Sequence, residues 1–200
     1  MKWNGPGGTY HVELHADVYR PSDDTFLLAA AVARELRPGD RFLEVGTGSG
    51  LVAMVAARLG AKATACDLNP HAVALATRNA KQNGLAVDVI QSDLLAAVPG
   101  PFDVVAFNPP YLPTAPHELV PGPLNLAFDG GPDGNATVLR FAAELGRRRS
   151  LPRLVLVVHS SLAEPRALEE ALAELGYRCE VLQTQALEFE RLSVRAFRLT

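Results

Sequence analysis

The feature that most constrains this chain is the regular alternation of short apolar runs with helix-length amphipathic stretches, repeated along most of its length. An apolar run of about five residues buries both faces of a strand, and a helical crossover returns the chain to the same sheet, so the pattern predicts βαβ units. Ser22 stands before Asp23, Asp24 and the run Phe26 to Leu36, which predicts a capped helix whose first-turn acids suit the macrodipole. Pro38 and Gly39 stop it. Strands are predicted at 41–45, 62–66, 87–91 and 103–107, with helices entered at Leu51 and Pro70 and closed by Gly60 and by Asn83-Gly84. A Pro- and Gly-rich stretch at 112–135 reads as a substrate-side flap. A helix at 136–148, a strand at 153–158, a helix at 164–175 and two closing strands at 178–184 and 191–199 follow. The expectation is one α/β domain over 1–200, built on a doubly wound, mostly parallel, seven-stranded sheet.

A chain of 200 residues supports one sizeable core rather than two. Its longest apolar runs, such as Leu154 to Val158, fall well short of the roughly 20 residues of a membrane span. Met1 to Tyr10 has no apolar stretch of the kind a signal peptide carries, and a cytoplasmic location is expected. The net charge of −3 gives no global attraction to phosphate backbones, which disfavours long nucleic acid as a partner. Cys66 lies in an apolar segment and reads as a buried free thiol, and neither it nor Cys179 reads as a metal ligand or nucleophile.

Between the first predicted strand and the helix after it stands Glu44-Val45-Gly46-Thr47-Gly48-Ser49-Gly50. Gly46, Gly48 and Gly50 at alternate positions allow a tight turn and close approach of backbone to a ligand. The dinucleotide pattern G-x-G-x-x-G is not completed, since Leu51 holds the last position, and Glu44 would repel a pyrophosphate. A carboxylate there suits the ammonium group of an amino-acid-bearing cofactor, which points to S-adenosylmethionine. Asp67 ends the next strand about 20 residues on, where an acid accepts hydrogen bonds from ribose hydroxyls. Asp93, after the third strand, is placed to accept from the adenine amino group.

The fourth strand runs into Asn108-Pro109-Pro110-Tyr111. The Asn108 side chain and the Pro109 carbonyl offer two acceptors beside a ring able to stack on a planar group, an arrangement that suits an NH2 group. An amide nitrogen is a poor nucleophile, so a site acting on it must align it with the methyl and favour charge developing on nitrogen. The proton leaves late, because the nitrogen becomes acidic only as it bonds to carbon.

With these motifs the chain resembles the class I S-adenosylmethionine methyltransferases, and within them the HemK/PrmC-like group that methylates the glutamine of a Gly-Gly-Gln motif in class-1 release factors. Val18 to Leu28, with its Pro21-Ser22-Asp23-Asp24-Thr25-Phe26 core, is similar to the N-terminal signature of the short eukaryotic and archaeal members, and Leu192-Ser193-Val194 is similar too. The resemblance implies that Thr25, Glu44, Gly46, Asp67, Asp93, Leu94 and Asn108 contact the cofactor, and that Asn108 to Tyr111 meets the substrate. Asp129-Gly130-Gly131 looks like a family loop feature. A small zinc-binding activator protein is an implied partner.

Several alternatives stay open at this stage. Thr25 also reads as a local helix cap, His159 as a satisfied core or rim residue rather than a base, and Arg147-Arg148-Arg149 as a basic helix end answering the macrodipole. An adenine N6-methyltransferase for RNA or DNA satisfies the same acceptors, and a cofactor-binding scaffold without catalysis is the reading from another class.

Overall fold

The computed structural model describes residues 1–111, 122, 124 and 127–200. An N-terminal hairpin of β1 (Lys2–Gly5) and β2 (Gly8–His11) precedes α1 (Asp23–Glu35). Then come β3 (Arg41–Val45), α2 (Leu51–Arg58), β4 (Lys62–Asp67), α3 (Pro70–Gln82), β5 (Val87–Gln91) and β6 (Val104–Phe107). The chain finishes with α4 (Ala136–Gly146), β7 (Leu154–Ser160), α5 (Arg166–Glu174), β8 (Tyr177–Ala186) and β9 (Arg191–Leu199).

Strands β3 to β9 form one seven-stranded sheet in the order β5-β4-β3-β6-β7-β9-β8. All pairings are parallel except those of β9, which inserts antiparallel between β7 and β8. Within this sheet the path starts at β3, winds outward to β5, then crosses back to β6. That reversal between β3 and β6 is where the C-terminal strand ends part and leave a crevice, so the topology alone fixes where a ligand fits.

The period of two along each buried strand sorts its residues between two cores. Phe42, Ala65, Leu156 and Val194 face α1 and α2 with Leu28, Val32, Met54 and Val55. Leu43, Val105 and Val155 face α4 and α5 with Phe141, Leu145 and Leu172. Burying each such side chain contributes roughly 1.5–3 kcal/mol, which is why helices must cover both faces.

The β1–β2 hairpin was not among the predicted elements. It stacks Trp3 on Phe26 at 5.1 Å between centroids and sets Tyr10 under the Arg58 guanidinium at 4.4 Å, covering the outer side of α1 and α2. The fourth predicted strand begins one residue later than expected, because Asp103 turns outward to hold Arg41 through two side-chain hydrogen bonds of 2.7 and 3.0 Å. The triple arginine at 147–149 follows the end of α4, and Arg148 donates to the Val98 carbonyl at 2.8 and 2.9 Å, fastening the loop after β5. Of the predicted flap at 112–135, positions 112–121, 123, 125 and 126 lie outside the described residues. Among the described residues no helix is long and apolar enough to cross a membrane.

Candidate active site

The glycine loop joins β3 to α2 as predicted, and the sheet order puts it at the switch point. Gly46, Gly48 and Gly50 have φ of +65°, +53° and +83°, the left-handed region that side chains enter at a cost. Gly50 is further constrained, because a Cβ there would lie 2.9 Å from Ala76 Cβ and 3.0 Å from its Cα on α3. Thr47 N donates to the Cys66 carbonyl at 3.0 Å and Gly48 N to Asp67 Oδ2 at 2.8 Å, so β4 holds the loop against the crevice.

Glu44 has a local task that the sequence reading did not foresee. Its Oε2 accepts from Thr47 Oγ1 at 2.6 Å and from Ala53 N at 2.9 Å, tying β3 to the loop and to the first turn of α2. The side chain still lines the cavity, but one oxygen is engaged in the scaffold. Burial pushes its carboxyl up to about 8 against the lowering effect of those two donors. Asp67 is also raised by burial, opposed by the amides of Gly48 and Asn69. Asn69 caps α3, and its Nδ2 donates to the Asp17 carbonyl at 2.7 Å, drawing residues 15–18 across the crevice.

Asp93 lies at the opposite wall, where its Oδ2 accepts from Arg140 Nη2 of α4 at 2.6 Å. One carboxylate oxygen therefore has a partner the sequence did not reveal. Leu94, next to it, has φ of +47°, and among the described residues it alone combines a side chain with a positive φ. Such strain persists where surrounding packing imposes it, commonly beside ligands. Cys66 is fully buried with Sγ 3.4 Å from the Leu94 carbonyl, its thiol pushed up to about 12, in agreement with an inert packing role.

Asn108 to Tyr111 leave β6 at the mouth of the same cavity, which measures about 490 Å³ and is lined by every predicted site residue except Gly50. Gly50 acts instead from behind, through the α2–α3 approach. Asn108 Oδ1 is buried and has no hydrogen-bond partner among the described residues. A Cβ on Gly130 would lie 2.9 Å from the Pro110 carbonyl, and one on Gly134 2.5 Å from that of Tyr111, so the Asp129 to Gly134 turn clamps this segment through bare backbone. Thr25 lines the cavity and also forms the capping box of α1, accepting from Ser22 N at 3.4 Å.

Tyr19, Asp24, Arg140 and Glu190 are among the lining residues that sequence reasoning missed. Asp24 accepts from the Tyr19 hydroxyl at 3.0 Å, and burial beside it raises the Tyr111 phenol well above its ordinary range. Asp24 and Tyr19 stand inside the quoted N-terminal signature, which was available as a signal. Arg140 and Glu190 carry none, since a lone charge on a helix or hairpin reads as surface. His159 is a satisfied rim residue, with Nε2 3.0 Å from the Ala163 carbonyl and burial lowering its pKa. His15, Asp17 and His71 form a separate cluster in which the two imidazole rings stack at 4.8 Å, and of the three it is Asp17 that lines the cavity.

With the site in view, comparison with known proteins is informative. The Methyltransferase small domain family matches residues 22–118. The MJ0928 protein of Methanocaldococcus jannaschii, provisionally named a protein N5-glutamine methyltransferase, is 40% identical over 190 residues, spanning 94% of this chain and 95% of its own. Methyltransferase HEMK2 of Mus musculus is 38% identical over 194 residues, spanning 90% and 89%. Among solved structures, a chain of the E. cuniculi Mtq2–Trm112 complex, responsible for methylation of the eRF1 translation termination factor, superposes with a TM-score of 0.74 at 23% identity. The match covers 92% of this chain and 99% of that one. The T. thermophilus 16S rRNA N2 G1207 methyltransferase RsmC, solved with AdoMet and guanosine, superposes over all of this chain and 50% of its own with a TM-score of 0.72 at 20% identity. At these identities the two structures establish the fold.

Proposed function

This chain belongs to the HemK-type protein glutamine methyltransferases of the class I S-adenosylmethionine-dependent fold, and from that premise we propose that it methylates the side-chain amide nitrogen of a glutamine in a class-1 release factor. The observation that carries the reading is Asn108 Oδ1, a buried acceptor at the cavity mouth with no donor among the described residues. Leaving such a group unpaired costs about 1–3 kcal/mol, so the site is built for a ligand that brings an N–H.

S-adenosylmethionine, when bound, supplies a methyl group on a positively charged sulfur. The residues present fit it. Asp17, Asp24, Asp67, Asp93 and Glu190 face a cavity in which Arg140 is the lining cation among the described residues, a field that favours a cationic donor. Each oxygen of Asp67 accepts one amide hydrogen bond in the protein and retains a lone pair for a ribose hydroxyl. The same acidic lining opposes a phosphate backbone, which weighs against an adenine of RNA or DNA as the acceptor even though its NH2 would satisfy Asn108.

Asn108 Oδ1 and the Pro109 carbonyl hold the two amide hydrogens of the glutamine and so fix the plane of its nitrogen. As nitrogen bonds to carbon it gains positive charge, and both acceptors bind it more strongly then than in the ground state, which lowers the barrier. Asn108 is no base, and the proton is lost after the bond has formed. The likeness to one chain of the Mtq2–Trm112 complex supports a protein partner for this chain, which we take to be the small zinc-binding activator that the family resemblance implies, and we place the reaction in the cytoplasm, where release factors act. Incubation with isotopically labelled donor and a class-1 release factor, with the candidate activator present, tests the reading. Label is expected on the factor and lost when its Gly-Gly-Gln glutamine is replaced; equal labelling of both would sink the proposal.

A further inference from the structure

Beyond the reacting atoms, three loops meet at the end of the sheet that bears Asn108 to Tyr111. A Cβ on Gly134, in the turn that clamps this segment, would lie 3.0 Å from Ala163 Cβ in the loop after β7. That loop is tied in turn to the β8–β9 hairpin. Ser161 N donates to the Arg191 carbonyl at 3.0 Å, Arg191 N donates to Ser161 Oγ at 2.9 Å, and the Ser160 hydroxyl donates to the Glu190 carboxylate. The Leu187 amide closes the hairpin tip on the Glu190 carbonyl at 2.8 Å.

This linkage holds Glu190 against the site cavity, while its neighbour Phe189 is 84% exposed at the tip. Leu162, one residue beyond Ser161, is 47% exposed. Phe128 lines the cavity, meets Tyr19 edge-on at 5.5 Å and is 36% exposed. One exposed apolar side chain is ordinary, but apolar groups gathered round the mouth of a site mark a surface that something else covers. Charge restricts what covers it. Glu188 and Glu190 flank Phe189, and Asp24 and Asp129 line the cavity behind, so the occupant brings an apolar side chain next to a basic one.

Resting on the release-factor reading above, we propose that Phe189 and Leu162 form the lip that docks the polypeptide segment beside the reacting glutamine, an apolar side chain packing on Phe189 and a basic one pairing with Glu188. The segment is recognised outside the cavity, so the lip sets substrate affinity and leaves donor binding and the chemical step alone.

The test measures steady-state KM and kcat for a whole class-1 release factor, with donor affinity followed by calorimetry, in wild type, Phe189→Ser, Leu162→Ser and Glu188→Lys. All three positions are exposed, so the variants keep the fold, and thermal melts verify it. Loss of an aromatic anchor from an interface is expected to raise KM about tenfold or more. The proposal expects this in Phe189→Ser, a smaller rise in Leu162→Ser, and in both kcat within about twofold and unchanged donor affinity. Glu188→Lys should raise KM severalfold at low salt and approach wild type at high salt. A labelled factor whose KM is the same in Phe189→Ser overturns the lip, and a fall in kcat at constant KM does so too, since it would assign the tip to the chemical step. A KM indifferent to Glu188→Lys overturns the basic half of the occupant. Wild type that labels no factor is a different result: it removes the substrate reading itself, and the lip with it.

Discussion

Glu44 gives the sharpest quantitative handle on the site. Its carboxyl moves from an ordinary 4.5 to about 8 in the folded chain, driven by burial and only partly offset by Thr47 and Ala53. Between those pH values the folded state keeps a proton that the unfolded state has released. The stability this represents is complete below about pH 4.5 and drains as pH rises through 8. At about 1.4 kcal/mol per pH unit the total is about 5 kcal/mol. For a chain of this length about 1 kcal/mol moves Tm by about 3 °C, so Glu44 alone should lower Tm by about 4 °C per pH unit. Glu44→Gln keeps a carbonyl to accept from Thr47 and Ala53 and never ionises, so it should remove that slope. Asp67 and His159, whose shifts act in opposite directions, are present in both proteins and cancel in the difference. The assay is thermal denaturation of both proteins, free of ligand, in half-unit steps from pH 5 to 8. Melting curves that run parallel across that range would refute the reasoning. A cationic donor should in addition favour the ionised form, so donor affinity should rise with pH from 6 to 8 in wild type and stay flat in Glu44→Gln.

Three further predictions follow from single contacts. Gly50→Ala places a side chain at φ of +83° and 2.9 Å from Ala76 Cβ, and should cost about 3 kcal/mol by thermal denaturation; a loss below about 1 kcal/mol would mean that α2 and α3 can part freely. Arg140→Ala removes an exposed ion pair and should alter stability by less than about 1 kcal/mol, yet weaken donor affinity severalfold in calorimetry if Arg140 orients Asp93 for the cofactor. The Arg41 guanidinium holds Asp103 down at about 2, so the stability it lends is present above its ordinary 3.8 and lost as pH falls toward 2; Asp103→Asn should flatten the acid limb of the melting curve between pH 4 and 2.

The seven sheet strands and the helices between them were readable because Gly, Pro or a capping residue bounds most of them and because β3, β6 and β7 carry almost wholly buried apolar runs, whereas the edge strands β5 and β8, largely intermediate or exposed, were legible from residue type and alternation. Ser22, Pro70, Gly60 and Gly176 are such boundaries, and the elements end within a few residues of them. The β1–β2 hairpin escaped because four-residue strands hold barely two periods, although Gly5-Pro6-Gly7-Gly8 is a turn sequence between them. Strand order is not local information, and only tertiary pairing puts β3 beside β6 and β9 inside β8. At the site, Gly46, Gly48, Asp67 and Asn108 were legible because backbone shape and strand ends fix where they point. The partners of Glu44 and Asp93 were not, since an acid next to a loop gives no sign of which donor will reach it first. Thr47, Ala53 and Arg140 could be identified only after the chain had folded.

The central claim is that Asn108 orients the incoming amide and does little to hold the donor. It is tested most directly by single-turnover methyl transfer to the release factor in wild type and Asn108→Ala, alongside calorimetric titration of the donor. The account predicts a transfer rate about 10²–10³-fold lower in the variant, with donor affinity within a few-fold of wild type. A variant that transfers methyl at the wild-type rate, or one whose whole defect is lost donor binding, would contradict it.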